Sequence, residues 1–495
     1  MSIIINAVRQ HAEKQPTQVA IAFDDHVITY AELWIEVCLY HEIIKASHCH
    51  TLAIALDNSK AWVLADLAAM MAGLTIIPIP SFFSQSQTEH ILKTADVDLI
   101  LQTTNVAPGD EWSTYPSELP GVYAFKRTVD GMSQNAKITF TSGSTGQPKG
   151  VVLPQAVIDT TSLGIVAALA PLDPQRHLSV LPLATLLENI AGLYAPLLHG
   201  SSICLPSEKT VGLSGASLDV ERFTRLLNTE QADSMILVPQ LLTALTTLVE
   251  FGLIANHSFK MLAVGGGRVS EHLLQKSSDL GLPVYEGYGL SECCSVLTLN
   301  LPGAHKPGSV GKPLGHAKLR VNDHGELEVK QPVMTGYLRA EPLSSDWYAT
   351  GDLGYIDADG YVFITGRKKN LFITAFGRNV NPEWMEAALT QHAAIAQAVV
   401  YGEAKDHNLA LLWLRFETNE EQLEQLIETV NTELPDYAQV HRYKVMTGAV
   451  PEYLQTDNGR LKRQQALIRY EAIIEDHYSA NPTENRVKRM CDVIL

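Results

Sequence analysis

Residues 138–151 read Ile-Thr-Phe-Thr-Ser-Gly-Ser-Thr-Gly-Gln-Pro-Lys-Gly-Val, and this stretch concentrates the groups that bind phosphate. A strand-like Ile-Thr-Phe leads into a loop where Gly143, Gly146 and Gly150 let backbone N–H groups turn toward a polyphosphate. The hydroxyls of Thr141, Ser142, Ser144 and Thr145 add donors, and Lys149 adds a cation. Because Gly150 follows Lys149, the Walker A spacing, with Ser or Thr after the lysine, fails. A merely flexible surface loop has no need of four hydroxyls, three glycines and a lysine directly after a strand. Other clusters are bland. Asp357-Ala-Asp359-Gly360 lacks the later ligands of a calcium loop and reads as a hairpin turn. His48-Cys49-His50 alone cannot complete a tetrahedral zinc site. Cys293 and Cys294 read as small buried hydrophobes.

Such a loop must be held by rigid elements. Thr51–Pro80 reads as strand, helix, strand, and the alternation recurs at Leu178–Pro182, in a helical run through Leu198, and at Met235–Val238 and Met261–Val264. This predicts an α/β fold with mostly parallel sheets. After about Gly311, two runs rich in β-branched and aromatic residues carry Asp-His-Gly and Asp-Gly turns, which predict a small antiparallel β subdomain. Beyond Gly366-Arg367-Lys368-Lys369 the pattern returns to helix and strand. The expected organisation is a large multi-subdomain region over residues 1–366 and a separate small α+β domain over 367–495.

The chain of 495 residues is too long for one core, and 46% hydrophobic with 18% charged residues excludes extended disorder. A formal charge of −17 argues against nucleic acid as a partner, since phosphate neutralisation needs a basic surface. The apolar stretch Ala61–Pro80 is interrupted by Asp66 and closed by Pro78 and Pro80, so it reads as a buried helix entering a strand and no transmembrane segment is expected. No secretory signal is visible, and six scattered cysteines suit a reducing compartment, so a cytoplasmic location is expected.

The sequence 141–151 resembles the phosphate-binding signature of the adenylate-forming superfamily, which includes acyl-CoA synthetases, peptide-synthetase adenylation domains and luciferases. Further motifs follow in that family's order. Val264-Gly265-Gly266-Gly267 is similar to the loop along adenine, and Glu286-Gly287-Tyr288-Gly289-Leu290-Ser291-Glu292 to the Tyr-Gly-x-Thr-Glu element, with Ser291 for threonine. Tyr348–Asp352 looks like the ribose clamp, and Gly366–Asn370 like the interdomain hinge. The resemblance implies that a carboxylic acid is activated by ATP as acyl-AMP, with release of pyrophosphate, and passed to a thiol. Coenzyme A is the expected acceptor, with carrier-protein phosphopantetheine as the alternative; a catalytically weakened nucleotide-binding regulator is the reading from another class. It also implies that Glu292, with Thr145, holds Mg²⁺, that Ser291 contacts phosphate, and that Tyr288 lies against adenine. Asp352 would bind the ribose hydroxyls, Arg367 ribose or phosphate, and Lys369 would serve as the hinge.

The chain departs from the family pattern in places. Thr185 stands where acyl-CoA synthetases carry a histidine or aromatic residue, and Gln155 where a histidine is common. The Leu181–Asn189 element has no aspartate to bind an ammonium group, which argues against α-amino acids. Residues 366–389 look most like the long-chain acyl-CoA synthetase branch, so a fatty or other apolar acid is expected. The late Gly-Lys motif reads Gly459-Arg460-Leu461-Lys462. Residues 460 and 462 of an extended loop share a face, so Lys462 is expected to carry the adenylation role, with Arg460 assisting.

Overall fold

Helix Lys60–Ala72 shows how the chain builds its layers. Ser59 caps it by accepting the Trp62 N–H, and Gly73, at φ 71°, closes it in the left-handed conformation that a glycine adopts without strain. Its buried face runs from Trp62 to Met70, too extensive for a surface helix. The strands on either side, Thr51–Ala55 and Thr75–Pro78, pair in parallel. This is a computed structural model, and it describes residues 2–129, 136–141, 148–214, 217–254, 257–375, 378–432, 434–455 and 461–479.

Those two strands lie at the centre of an eight-stranded sheet ordered 336–337, 149–154, 136–141, 75–78, 51–55, 99–102, 123–126, 113–115. The four central strands are parallel and the outer ones antiparallel. A nine-stranded sheet follows the order 312–313, 298–299, 284–288, 261–264, 234–237, 176–178, 202–204, 19–22, 27–29, and its six middle strands are parallel. An apolar core that includes Leu52, Trp62, Leu67, Ile190 and Ile203 fills the space around them. The expected antiparallel subdomain is a four-stranded sheet of Lys318–Val321, Glu326–Gln331, Tyr348–Ile356 and Val362–Arg367. The α/β architecture read from the strand–helix alternation is the one observed.

The helical run expected after Pro182 begins at Leu186, and residues Glu188–Tyr194 of it form a π-helix before Ala195–His199. Such wide turns occur mostly as short segments, frequently at functional sites. No helix among the described residues is long and apolar enough to cross a membrane.

The chain divides into two compact units, Met1–Lys368 and Lys369–Leu495. In the second, Asn408–Leu414 pairs antiparallel with Ile395–Tyr401 and parallel with Val440–Val445. Helices Pro382–Thr390 and Glu420–Thr432 pack on that sheet through Met385, Leu389, Leu423 and Ile427.

Candidate active site

The phosphate loop closes a hairpin. Strands Ala136–Thr141 and Lys149–Pro154 pair antiparallel, with Thr141 opposite Lys149. Helix Gln155–Leu169 starts only after the second strand. Gly150 permits the packing beneath it, because a Cβ there would lie 2.9 Å from the Ile138 side chain and 3.1 Å from Leu338 and Phe140. Lys149 is exposed, its Nζ 5.8 Å from the centre of the Tyr337 ring. Ser142, Gly143, Ser144, Thr145 and Gly146 lie outside the described residues, as does Arg460.

The nucleotide motifs follow the carboxyl ends of two adjacent parallel strands, Met261–Val264 and Val284–Tyr288, where open α/β sheets bind ligands. Gly265, Gly266 and Gly267 leave the first, with Gly266 at φ 75°, and the second and third glycines are exposed. Gly289 follows the other strand and has no room for a side chain. A Cβ there would lie 1.5 Å from the Ser295 carbonyl oxygen, part of a turn with Cys294 and Ser295 at φ 55° and 81°. Glu286 and Gly287 lie within this strand, and burial pushes the Glu286 carboxyl up to about 8, against the attraction of Arg268.

Tyr288, Asp352 and Arg367, chosen from separate motifs, come together. The Tyr288 hydroxyl donates to Asp352 Oδ2 at 2.7 Å, and Arg367 Nε lies 2.7 Å from Oδ1. Asp352 and Arg367 are direct cross-strand partners in the four-stranded sheet. Asp352 is 3% exposed, so its charge requires such partners. Glu326 steadies the turn before it, accepting from the Gly351 N–H at 3.0 Å and from Lys368 Nζ at 2.9 Å.

Ser291 and Glu292 open a single 3₁₀ turn, Ser291–Cys293. Glu292 Oε1 accepts from the Tyr337 hydroxyl at 2.7 Å, and Tyr348 lies 3.5 Å from that hydroxyl. Burial raises both phenols above the ordinary tyrosine range, with Glu292 adding to it, so both remain protonated. Tyr337 thus touches two expected site residues, Glu292 by its hydroxyl and Lys149 by its ring. Sequence reasoning missed it. Among the described residues no three His, Cys, Asp or Glu side chains cluster as a metal cage. One partly accessible carboxylate still fits Mg²⁺, which is commonly held by one or two carboxylates together with substrate phosphates.

Three further expected site residues are Thr185, Lys369 and Lys462. The Thr185 hydroxyl donates to the Pro182 carbonyl at 2.6 Å and closes the turn before Glu188. Lys369 is exposed at the start of the second unit. In that unit Lys462 precedes helix Arg463–Arg469, and its Nζ donates only weakly, at 3.3 Å, to the Tyr453 carbonyl. Its neighbour Arg463 is a structural cation, paired with Glu386 and donating to the Val400 carbonyl, with burial lowering it to about 10.

Residues 8–340 match the AMP-binding enzyme family, and residues 369–482 match the AMP-binding enzyme C-terminal domain. The chain belongs to the AMP-binding enzyme family. It is an AMP-forming acid–thiol ligase, and its cofactors are ATP, Mg²⁺ and coenzyme A. A curated relative, the 2-succinylbenzoate–CoA ligase of Bacillus licheniformis, is 27% identical over 80% of this chain and 86% of its own length. Among solved structures, the O-succinylbenzoate coenzyme A synthetase of Bacillus subtilis bound to AMP is 23% identical. It superposes with a TM-score of 0.75 over 93% of this chain and 97% of its own. An anthranilate CoA ligase bound to anthranoyl-AMP is 17% identical, with a TM-score of 0.78 over 94% and 96%. At these identities the superpositions establish the fold.

The expected lean toward the long-chain branch and a fatty acid is not supported by these relatives. Most of the stretch that suggested it, residues 366–389, belongs to the C-terminal unit. Phe372, Val380, Met385 and Leu389 are core there, so its composition reports packing, not the acid. An acyl carrier protein as partner likewise finds no support among them.

Proposed function

We propose that this chain activates an aromatic carboxylic acid of the 2-succinylbenzoate type and transfers it to coenzyme A. The reading rests on one observation above all: the family match spans both units, and the relative aligned over most of the chain carries that substrate in its name. The Leu181–Asn189 element, where amino-acid-activating members bind the substrate ammonium, has no charged residue before Glu188, which agrees with an acid that lacks an ammonium.

In the first half-reaction a carboxylate oxygen forms a bond to the α-phosphorus of ATP while the bond to the β-phosphate oxygen breaks and pyrophosphate leaves. The hairpin loop and Lys149 bind the leaving phosphates, offsetting the charge that spreads over the phosphoryl oxygens. Asp352, held by Tyr288 and Arg367, accepts from the ribose hydroxyls, and the Gly265–Gly267 loop lies along the base. Mg²⁺, held by Glu292 and Thr145, would neutralise phosphate charge. Tyr337 orients Glu292. In the second half-reaction the thiol gives its proton to solvent, its sulfur bonds to the acyl carbon, and the bond from that carbon to the phosphate oxygen breaks to release AMP. Lys462 serves the first half only, and the C-terminal unit turns about Lys369 between the two.

Pyrophosphate release with 2-succinylbenzoate, benzoate, anthranilate and a long-chain fatty acid tests the acid; free coenzyme A against a carrier protein tests the acceptor. Aromatic acids should lead and coenzyme A should accept. A fatty acid giving the highest kcat/KM, or acyl transfer to carrier protein alone, would overturn the reading.

A further inference from the structure

Lys137 lies on the strand that enters the phosphate loop, yet its side chain is 1% exposed and points into the protein. Its Nζ lies 2.5 Å from Asp66 Oδ1, 2.6 Å from Asn189 Oδ1 and 2.6 Å from the Tyr194 hydroxyl, which donates in turn to Asp66 Oδ2. An ammonium has three donors, and all three are engaged. Asn189 and Tyr194 both belong to the π-helix Glu188–Tyr194. The neighbouring Glu188 is fully buried and faces the other sheet. Its Oε1 accepts from Ser179 Oγ at 2.6 Å, beside the His177 ring. A Cβ on Gly192 would lie 2.3 Å from that oxygen, so the glycine makes room for the carboxylate. Adjacent residues of one helical turn are thus tied to opposite sheets through buried polar groups.

This turn ends the Leu181–Asn189 element, which in amino-acid-activating members binds the substrate ammonium and so faces the acid, and whose other end is also held: Asn58 Nδ2 donates to the Leu181 carbonyl and its Oδ1 accepts from the Leu183 N–H. An apolar core does not need this cation. Replacing a buried ion pair by apolar residues often costs no stability, and buried polar networks serve better to fix one arrangement. We propose that Lys137 is a positioning residue that fixes the acid-facing element against the phosphate-loop strand. It thereby sets the distance between the acid carboxylate and the α-phosphate. Lys137 touches neither substrate; it acts through Asn189. The proposal rests on the ligase reading above.

The test is steady-state pyrophosphate release by the full-length enzyme with its best acid, with melting temperature measured alongside. Asn189→Ala removes the arm to the acid-facing element and leaves the Lys137–Asp66 pair intact. It should raise KM for the acid about tenfold, the worth of one hydrogen bond to a charged group, while KM for ATP stays within about twofold. Asn189→Asp retains an acceptor for the ammonium and should restore the acid KM to within about threefold. The double variant Lys137→Met with Asp66→Asn removes both charges together, guarding against the misfolding that one unpaired charge would cause. It should melt near the wild type yet keep the raised acid KM. Equal changes in both KM values, or a normal acid KM in Asn189→Ala, would overturn the inference while leaving the ligase reading intact. A wild type inert to the whole acid panel would overturn the ligase reading, and this inference with it.

Discussion

Glu286→Gln should make the protein more resistant to unfolding at pH 8 while changing little near pH 4. Burial raises the Glu286 carboxyl from 4.5 to about 8 in the folded protein, with Glu271 adding to the effect and Arg268 opposing it. The folded state therefore binds one more proton than the unfolded state between those values, and stability falls as pH rises through that window. The contribution is fully present below about 4.5 and lost by about 8. At about 1.4 kcal/mol per unit the full span is worth about 4–5 kcal/mol. The side chain is partly accessible, so solvent screening reduces this to about 2–3 kcal/mol. Glutamine keeps the shape and stays neutral at every pH. Urea unfolding of both proteins at pH 5, 6, 7 and 8, read as the difference between them, cancels every other titration. The difference should widen by about 2–3 kcal/mol from pH 5 to 8 in favour of the variant. A constant difference across that range would refute the reasoning, because it would mean Glu286 is already ionised in the folded protein.

Asp352→Asn leaves the fold but loses a charge-assisted bond, so KM for ATP should rise about tenfold or more with the acid KM nearly unchanged; initial rates at varied ATP check this. Tyr337→Phe removes the donor on Glu292, and the Mg²⁺ concentration for half-maximal pyrophosphate release should rise about tenfold, as is usual for groups that orient a metal ligand. Gly289→Ala forces a Cβ toward the Ser295 carbonyl and should cost about 3 kcal/mol in unfolding free energy, since backbone cannot yield as a side chain tip can. Lys462→Ala should lose acyl-AMP formation while keeping thioester formation from supplied acyl-AMP, each half-reaction being measured separately.

The elements carried by contiguous residues were legible. An apolar Ile-Thr-Phe describes strand Ala136–Thr141, and Asp-Gly turns between β-branched runs describe the four-stranded sheet. What was not legible depends on pairing between distant segments. Tyr337 has no motif around it; it reaches Glu292 because Gly336–Tyr337 pairs with Val151–Val152 at the sheet edge. The return strand Lys149–Pro154 carried a signal that was passed over, since Gly-Val-Val-Leu directly after the loop is strand-like. The π-helix was hidden because apolar residues at helical spacing look alike in a normal or a widened turn.

Asp66 shows what a more demanding reading could have extracted. In the sequence it served only to interrupt an apolar stretch and to exclude a membrane span. A carboxylate on a helix whose neighbours are all buried needs a partner, because an unpaired charge in the interior costs several kcal/mol. The partner must itself be a cation out of place, and Lys137, between Ala136 and Ile138 at the start of an apolar strand, is such a residue. Each residue alone reads as an imperfection in its element. Taken together they predict that the helix and the phosphate-loop strand are neighbours, a tertiary contact that neither motif nor periodicity reveals.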